Sequence, residues 1–202
     1  MSETPGVDPC VARRPSFDRD VVLDRAIDVF WRHGYQGASL TALVEATGLL
    51  PGSIYAAFGS KEALFREVLT RYVEHARAHV ASGDLPARAL LERWFATLID
   101  AALSVPAGEL GRGCLLLAST AEAPRLDRES AELVRAQVDA LERFFRQCIT
   151  EARRDRPRSG ALSASATARL LVASLVGISA MSRAGVSRQA LEDVARAALS
   201  NV

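Results

Sequence analysis

The stretch GASLTALVEATGLLPGSIYAAFGSKEALF, residues 37–65, decides the fold of this chain. Ser39 is a favourable N-cap, and the apolar residues after it recur at helical spacing until Gly48. Shortly afterwards Pro51 opens another short helix with its φ already fixed, and Gly59 ends that helix. The stretch therefore predicts two short helices joined by a glycine turn, followed by the start of a longer helix.

The residues before this stretch predict a long first helix. Asp18 is suited to cap it, Val22 is spaced to pack back on Phe17, and Gly34 is placed to end it in a left-handed conformation. The prolines of residues 1–16 predict a mobile tail. Together the helices predict a compact three-helix head.

The rest of the chain keeps a helical apolar period, and no alternating pattern of a β-strand competes with it. We therefore predict an all-α protein with a head over residues 17–72 and a helical domain over residues 73–202, divided near Tyr72 inside the fourth helix.

Composition excludes several classes of protein. The 202 residues carry 25 Lys and Arg against 24 Asp and Glu, so net charge gives no argument for nucleic-acid binding. Cys10, Cys114 and Cys148 are widely spaced, which favours a reducing cytosol over a disulfide scaffold. The N-terminus lacks the pattern of a secretion signal, and the apolar run 170–182 is shorter than the ~20 residues of a membrane span. A cytoplasmic protein is expected, with no membrane partner.

Two short helices stacked on a longer one form a helix-turn-helix, whose second short helix can enter the major groove of DNA. Any helical hairpin would produce the same apolar spacing. The prediction of DNA binding therefore depends on the outward residues of the second short helix. They include no acid, which is unusual for a solvated helix and favourable beside phosphates. These residues are Pro51, Gly52, Ser53, Tyr55 and Ala56.

The capped helix, the glycine turn, the second helix ending in Tyr-x-x-Phe and the following Gly-Ser-Lys-Glu-x-Leu resemble the tetracycline-repressor (TetR) family of bacterial transcription regulators. The resemblance covers Phe17 to Tyr72. It implies about nine helices, a homodimer on double-stranded DNA, and repression relieved by a small-molecule effector.

The resemblance also implies roles for single residues. Ser39, Thr41, Tyr55 and Lys61 are similar to phosphate contacts, and Gly52 lets the backbone approach DNA. Each also has a purely structural interpretation, as a cap, a solvated first-turn residue or the rim of an amphipathic helix.

Leu50 and Pro51 depart from the family pattern, in which a serine cap and a polar or basic residue are common. The second short helix therefore has few side chains that could recognise bases through hydrogen bonds. We hypothesise that Pro51 and Ala56 contact thymine methyl groups and that DNA shape supplies much of the specificity. Arg13 and Arg14 in the tail are a weaker candidate for a minor-groove or phosphate contact.

Apolar residues from several C-terminal helices are candidates for a cavity that binds a small apolar or aromatic effector, although a filled core explains the same pattern. The candidate lining residues are Trp94, Phe95, Leu98, Cys114, Leu117, Phe144 and Cys148. At a helix start, the thiol of Cys114 would have a lowered pKa, so a thiol or metal sensor is the alternative function. His75 and His79 lie four residues apart, but no third metal ligand is in view.

The last two helices carry apolar faces with small residues that allow close helix approach, which predicts a two-fold four-helix interface. The candidate interface residues are Leu170, Ala173, Ser174, Gly177, Ile178, Leu191, Val194 and Ala198. Such a dimer would place two heads one DNA turn, about 34 Å, apart on a palindrome. No phosphate-binding loop, metal cluster or acid–base pair is legible, so we expect neither an enzyme nor a cofactor.

Overall fold

A computed structural model describes residues 17–81, 84–105, 113–154 and 162–202 of the chain. Those residues form nine α-helices and one 3-10 turn, with no strand among them, as the all-α prediction requires. The predicted tail, with Arg13 and Arg14, lies outside the described residues. In chain order the elements are α1 (Arg19–Gly37), α2 (Leu40–Thr47), α3 (Pro51–Phe58), α4 (Lys61–Ala81), α5 (Ala87–Leu103), α6 (Leu115–Glu122), the 3-10 turn (Ala123–Arg125), α7 (Arg128–Ala152), α8 (Ala164–Arg183) and α9 (Arg188–Leu199).

Side-chain caps start α1, α2 and α4 where the sequence predicts. The Asp18 carboxylate accepts a hydrogen bond from the Asp20 N–H at 2.9 Å, and Ser39 Oγ accepts one from the Ala42 N–H at 3.0 Å. Ser60 Oγ does the same for α4. These bonds satisfy backbone donors that have no partner within the helix, and they fix where each helix begins.

The core of the head is aromatic. The rings of Phe30 and Phe65 meet edge to face with centroids 5.2 Å apart, and the Tyr35 ring lies 5.0 Å from that of Phe65. Arg19 pairs with Glu67 at 2.6 Å and joins the start of α1 to α4. Packing of α1 against α4 thus supports the two short helices from behind.

The second core lies among α5, α7, α8 and α9. The two cores are not separated by a linker, because α4 runs without interruption past Tyr72. Leu115 and Leu116 of α6 and Val134 of α7 are buried in the core of the head. Helix α6 therefore belongs to both halves of the molecule.

Among the described helices, α8 alone is by itself long and apolar enough to cross a membrane. It is longer than the apolar run 170–182 because the helix also includes the residues on either side of that run. Its buried side includes Leu171, Leu175 and Ile178 and packs against α5, α7 and α9. Core helices have the same composition, and α8 serves as the core helix of this domain.

Candidate nucleic-acid interface and effector cavity

The turn between α2 and α3 is built on Gly48. This residue has φ 72° and ψ 9°, a left-handed conformation that costs glycine little, and its N–H donates to the carbonyl of Val44. The axes of α2 and α3 are bent by 91° across the turn. That angle is the one expected for a helix-turn-helix, and it sets α3 apart from α2 as a separate surface.

Helix α3 is fixed to the head by its buried side. Ile54 and Phe58 are 2% and 6% exposed, and the Arg19 guanidinium lies 4.3 Å from the centre of the Phe58 ring. Arg19 also donates to the carbonyl of Ala57 at 3.0 Å. Arg25 holds the end of α2 in the same way, through the carbonyl of Thr47. The position of α3 is therefore determined by contacts behind it.

The other side of α3 faces outward and carries no acid. Leu50, just before the helix, is 73% exposed and Tyr55 is 47% exposed. Pro51, Gly52 and Ala56 are also exposed, and Ser53 is partly exposed. A Cβ atom added at Gly52 would meet nothing within 4 Å, so the backbone of α3 is open to an approaching ligand.

The residues proposed as phosphate contacts lie around α3. Ser39 Oγ already caps α2, and Thr41 is exposed in the first turn of that helix. The Lys61 ammonium lies 4.7 Å from the centre of the Tyr35 ring at the start of α4. Burial there lowers the pKa of Lys61, because the charged form is the one that loses solvation.

The end of α1 differs from the prediction. Gly34 has φ 69° but ψ −179°, so it interrupts the helix without adopting the left-handed helical conformation, and one further turn continues to Gly37. The carboxylate of Glu122 accepts from the N–H groups of Tyr35 and Gln36, at 2.8 and 3.2 Å. An acid from α6 therefore caps that turn, as an N-cap side chain would.

Both ends of α6 are bonded to α1. Before the helix, the carbonyl of Gly113 accepts from Trp31 Nε1 at 2.7 Å. After it, the carbonyl of Arg125 accepts from Gln36 Nε2 at 3.2 Å. Sequence reasoning missed these contacts, because nothing local distinguishes Glu122 from other acids near a helix end.

A cavity of about 80 Å³ lies against the other side of α6. Of the predicted lining residues, Trp94, Leu98, Cys114 and Leu117 border it. The other lining residues are Tyr72, Val73, Ala76, Arg77, Val80, Thr97, Ala101, Gly113, Leu116, Gln137, Leu141 and Leu175. Helices α4 to α8 thus all contribute to its wall.

Phe95, Phe144 and Cys148 do not border this cavity, contrary to the prediction. Phe95 is 1% exposed in the second core, and Cys148 is 5% exposed in the same core. Phe95 projects about 100° away from Trp94 around α5, and this direction points it into the second core. Phe144 lines a neighbouring surface groove instead.

Two family profiles match this chain, one over the head and one over the C-terminal helices. The family profile described as "Bacterial regulatory proteins, tetR family" matches residues 22–68, and the profile described as "Tetracyclin repressor-like, C-terminal domain" matches residues 88–198. The chain belongs to the tetR family. It is a DNA-binding transcriptional regulator, and α3 occupies the recognition position of its helix-turn-helix.

Several proteins are similar to this tetR-family chain over most of their length. The HTH-type transcriptional repressor ComR of Escherichia coli is 32% identical over 89% of this chain and 86% of its own length. A cysteine mutant of the regulator CifR, solved with 26-bp operator DNA, is 34% identical with a TM-score of 0.71, covering 93% of this chain and 98% of that chain. A regulator from Agrobacterium tumefaciens has a TM-score of 0.80 at 19% identity, covering 91% of this chain and 96% of its own, which supports the fold alone.

The predicted dimer residues of this tetR-family chain divide between surface and core. Leu170 is 37% exposed, Ala173 is exposed, and Ser174 and Gly177 are partly exposed on α8. The remaining predicted residues face inward because α8 and α9 pack on α5 and α7 of the same chain. Ile178, Leu191 and Ala198 are buried there, and Val194 packs against that core.

The thiol of Cys114 behaves differently from the prediction. Burial raises its pKa, and this effect outweighs the hydrogen bond from Tyr72 and its position at the start of α6. By exposed surface Cys114 is partly buried and Cys148 is buried, and Cys10 lies outside the described residues. No group of three His, Cys, Asp or Glu side chains that could hold a metal occurs in the described parts of this tetR-family chain, and His75 and His79 are exposed on α4.

Proposed function

We propose that this regulator is a repressor that binds a palindromic operator as a homodimer and is released by a small apolar or aromatic effector. The observation that carries the DNA-binding part is the outward surface of α3, which is acid-free and open above Gly52. Phosphates repel carboxylates, so this surface is suited to duplex DNA. Action on chromosomal DNA places the protein in the cytoplasm.

The phosphate backbone is contacted by Ser39, Thr41, Tyr55 and Lys61 in this proposal, through hydroxyl groups and one ammonium. Hydrogen-bonding side chains for reading bases are scarce on α3. Pro51 and Ala56 therefore contact thymine methyl groups, with DNA shape supplying further specificity. A binding-site selection with strong guanine preference opposite α3 would contradict this assignment.

Dimerisation is supported by the exposed side of α8. Leu170, Ala173, Ser174 and Gly177 form an apolar strip of mostly small residues. A Cβ atom added at Gly177 would meet nothing within 4 Å, so a second helix can approach closely. A two-fold axis at this strip fixes the distance between the two heads. The operator then needs two half-sites separated by the same distance.

Release by an effector is supported by the two sides of α6. Leu116 and Leu117 border the cavity, while Glu122 and Gly113 bond to α1 of the head. At about 80 Å³ the cavity by itself is smaller than the ~300 Å³ of typical ligand sites, so an effector group that enters it enlarges it. Enlargement of the cavity moves α6, and the hydrogen bonds between α6 and α1 transmit this movement to the head. The distance between the two heads of the dimer then changes, and the affinity for DNA falls.

The alternative of a thiol sensor at Cys114 has less support. A raised pKa keeps Cys114 protonated at neutral pH, and the thiolate is the reactive form. Replacement by serine separates the two functions, because a thiol sensor loses its response whereas an effector-released repressor keeps it.

The DNA-binding part is tested with the variant Ala56→Glu and fragments of the native genome in a retardation assay at low salt. A carboxylate on the outward side of α3 is expected to weaken DNA binding at least about tenfold, because it repels phosphates. Ala136→Glu is the matched control, since Ala136 is exposed on α7 and lies outside the helix-turn-helix. Equal retardation by both variants, or no retardation by the wild-type protein, would overturn the proposal.

A further inference from the structure

Two volumes adjoin at Arg77, Trp94 and Leu141. One is the cavity against α6, and the other is a surface groove of about 430 Å³ that also borders Arg143, Phe144 and Gln147. Taken together they reach the ~300–1,000 Å³ of typical small-molecule sites. Arg77 and Trp94 therefore stand where a ligand would pass from the surface into the apolar interior.

The junction is positively charged. Arg77 and Arg143 border the groove, and none of the described lining residues of either volume apart from these two carries a charge. Neither arginine forms an ion pair with any residue that the structure describes. Within the described parts of the chain, Arg77 Nη2 donates to the neutral Gln137 Oε1, at 3.2 Å. Arg77 is exposed, and guanidinium groups prefer carboxylates, so a carboxylate on a ligand would be its best partner.

Trp94 adds an unused donor and an aromatic wall. Its Nε1–H is buried and has no hydrogen-bond partner among the described residues. Its ring lies 6.2 Å from Phe144 and 5.9 Å from Phe145, centroid to centroid. A buried N–H without a partner is unfavourable, and an acceptor on a ligand would satisfy it.

We propose that the effector is an aromatic carboxylic acid, bound as its carboxylate. The guanidinium of Arg77 pairs with the carboxylate, Trp94 Nε1 donates to a further acceptor, and the ring of the ligand packs against Trp94 and Phe144. The interior beyond, with Leu98 and Leu117, accepts the apolar remainder. The proposal rests on the proposed function, because it names the ligand class of the same cavity.

The test compares acids with their neutral amides, which have nearly the same shape. Benzoate with benzamide, and 2-naphthoate with 2-naphthamide, are titrated calorimetrically into the full-length protein and into the variants Arg77→Gln and Arg135→Gln. Arg135 is exposed on α7 and does not border either volume, so its variant controls for net charge. Circular dichroism verifies that each variant is folded.

At least one acid is expected to bind the wild-type protein at least tenfold more tightly than its amide. Arg77→Gln is expected to remove that preference while leaving the affinity for the amide within twofold, and Arg135→Gln is expected to keep it. Equal binding of acid and amide, binding of neither, or a preference that survives in Arg77→Gln would overturn the proposal.

Retardation of operator-containing DNA, measured with the same acids, separates the two proposals. An acid that binds through Arg77 and does not release DNA leaves the ligand class standing and contradicts release by an effector. DNA release by an apolar neutral molecule alone supports effector release and overturns the carboxylate assignment.

Discussion

The carboxylate of Glu122 lies 2.8 Å from the backbone nitrogen of Tyr35, across 87 positions of the chain. The acid stands at the end of α6, whose residues Leu116 and Leu117 border the cavity, and the tyrosine lies in α1, two helices before α3. One charge-assisted hydrogen bond thus connects the helix that borders the cavity to the DNA-binding head.

Replacing this acid is predicted to destabilise the protein. Glu122→Gln weakens two hydrogen bonds to backbone donors and sets an amide N–H₂ against them, so the free energy of unfolding is expected to fall by about 1–3 kcal/mol. Urea denaturation measures the change. Glu132→Gln is the control, because Glu132 forms a 2.8 Å surface pair with Arg128 and is 56% exposed. That control should cost less than about 0.5 kcal/mol, and equal losses would contradict the role of Glu122.

A side chain at Gly34 is predicted to be costly. The residue has φ +69°, and a Cβ atom would lie 2.9 Å from both carboxylate oxygens of Glu122. Gly34→Ala is therefore expected to lower the free energy of unfolding by about 1–3 kcal/mol. At Gly37 the nearest such contact is 3.4 Å, to His33 Cβ, so Gly37→Ala should change stability by less than about 1 kcal/mol. Thermal unfolding of both variants measures these changes. A Gly34→Ala variant as stable as the wild-type protein would contradict the close contact between Gly34 and the Glu122 carboxylate.

Alkaline pH is predicted to destabilise the head through Tyr35. Burial, together with the hydrogen bond to Glu62 at 2.7 Å, raises the pKa of Tyr35 above its ordinary value of 10.0. Above that pH the unfolded chain releases the phenol proton while the folded chain retains it, so the folded state binds more protons and stability falls as pH rises.

The variant Tyr35→Phe removes this titrating group. Its loss of stability between about pH 9 and 11 should be smaller than that of the wild-type protein by up to roughly 1 kcal/mol, measured by urea denaturation at each pH. Tyr55→Phe is the control, because the Tyr55 side chain is 47% exposed. A wild-type slope in Tyr35→Phe would show that Tyr35 does not cause the alkaline loss.

The proposed dimer predicts an effect of a charge on α8. Ala173→Arg places a guanidinium in the middle of the exposed apolar strip, so sedimentation velocity is expected to show monomers. DNA affinity should then fall at least about tenfold, because two tethered heads no longer bind one operator together. Ala136→Arg, with the same change on α7, should remain dimeric. A dimer that persists in Ala173→Arg would place the interface elsewhere.

The head was predictable because its determinants are local. Asp18, Ser39 and Ser60 satisfy backbone donors two or three residues away, and Pro51 fixes its own φ. Such interactions need no knowledge of distant parts of the chain, so the sequence by itself determined the starts of these helices and the all-α class.

Which residues border the cavity and which are exposed on α8 could be predicted only in part. A helical period shows that a helix has an apolar face, but it does not show which partner covers it. Ile178 and Ala173 lie on one helix, yet packing of α8 on α7 buries the first and leaves the second exposed. In the same way, packing placed Trp94 at the cavity and Phe95 in the core.

Only the tertiary structure determined the hydrogen bonds between α6 and α1 and the direction of the pKa shift of Cys114. The partners of Glu122 come from α1, and the pKa of the thiol is raised by burial among several helices. Hydrogen bonds between distant segments and the loss of solvation depend on the whole packed arrangement, whereas caps and turns depend on a few neighbouring residues.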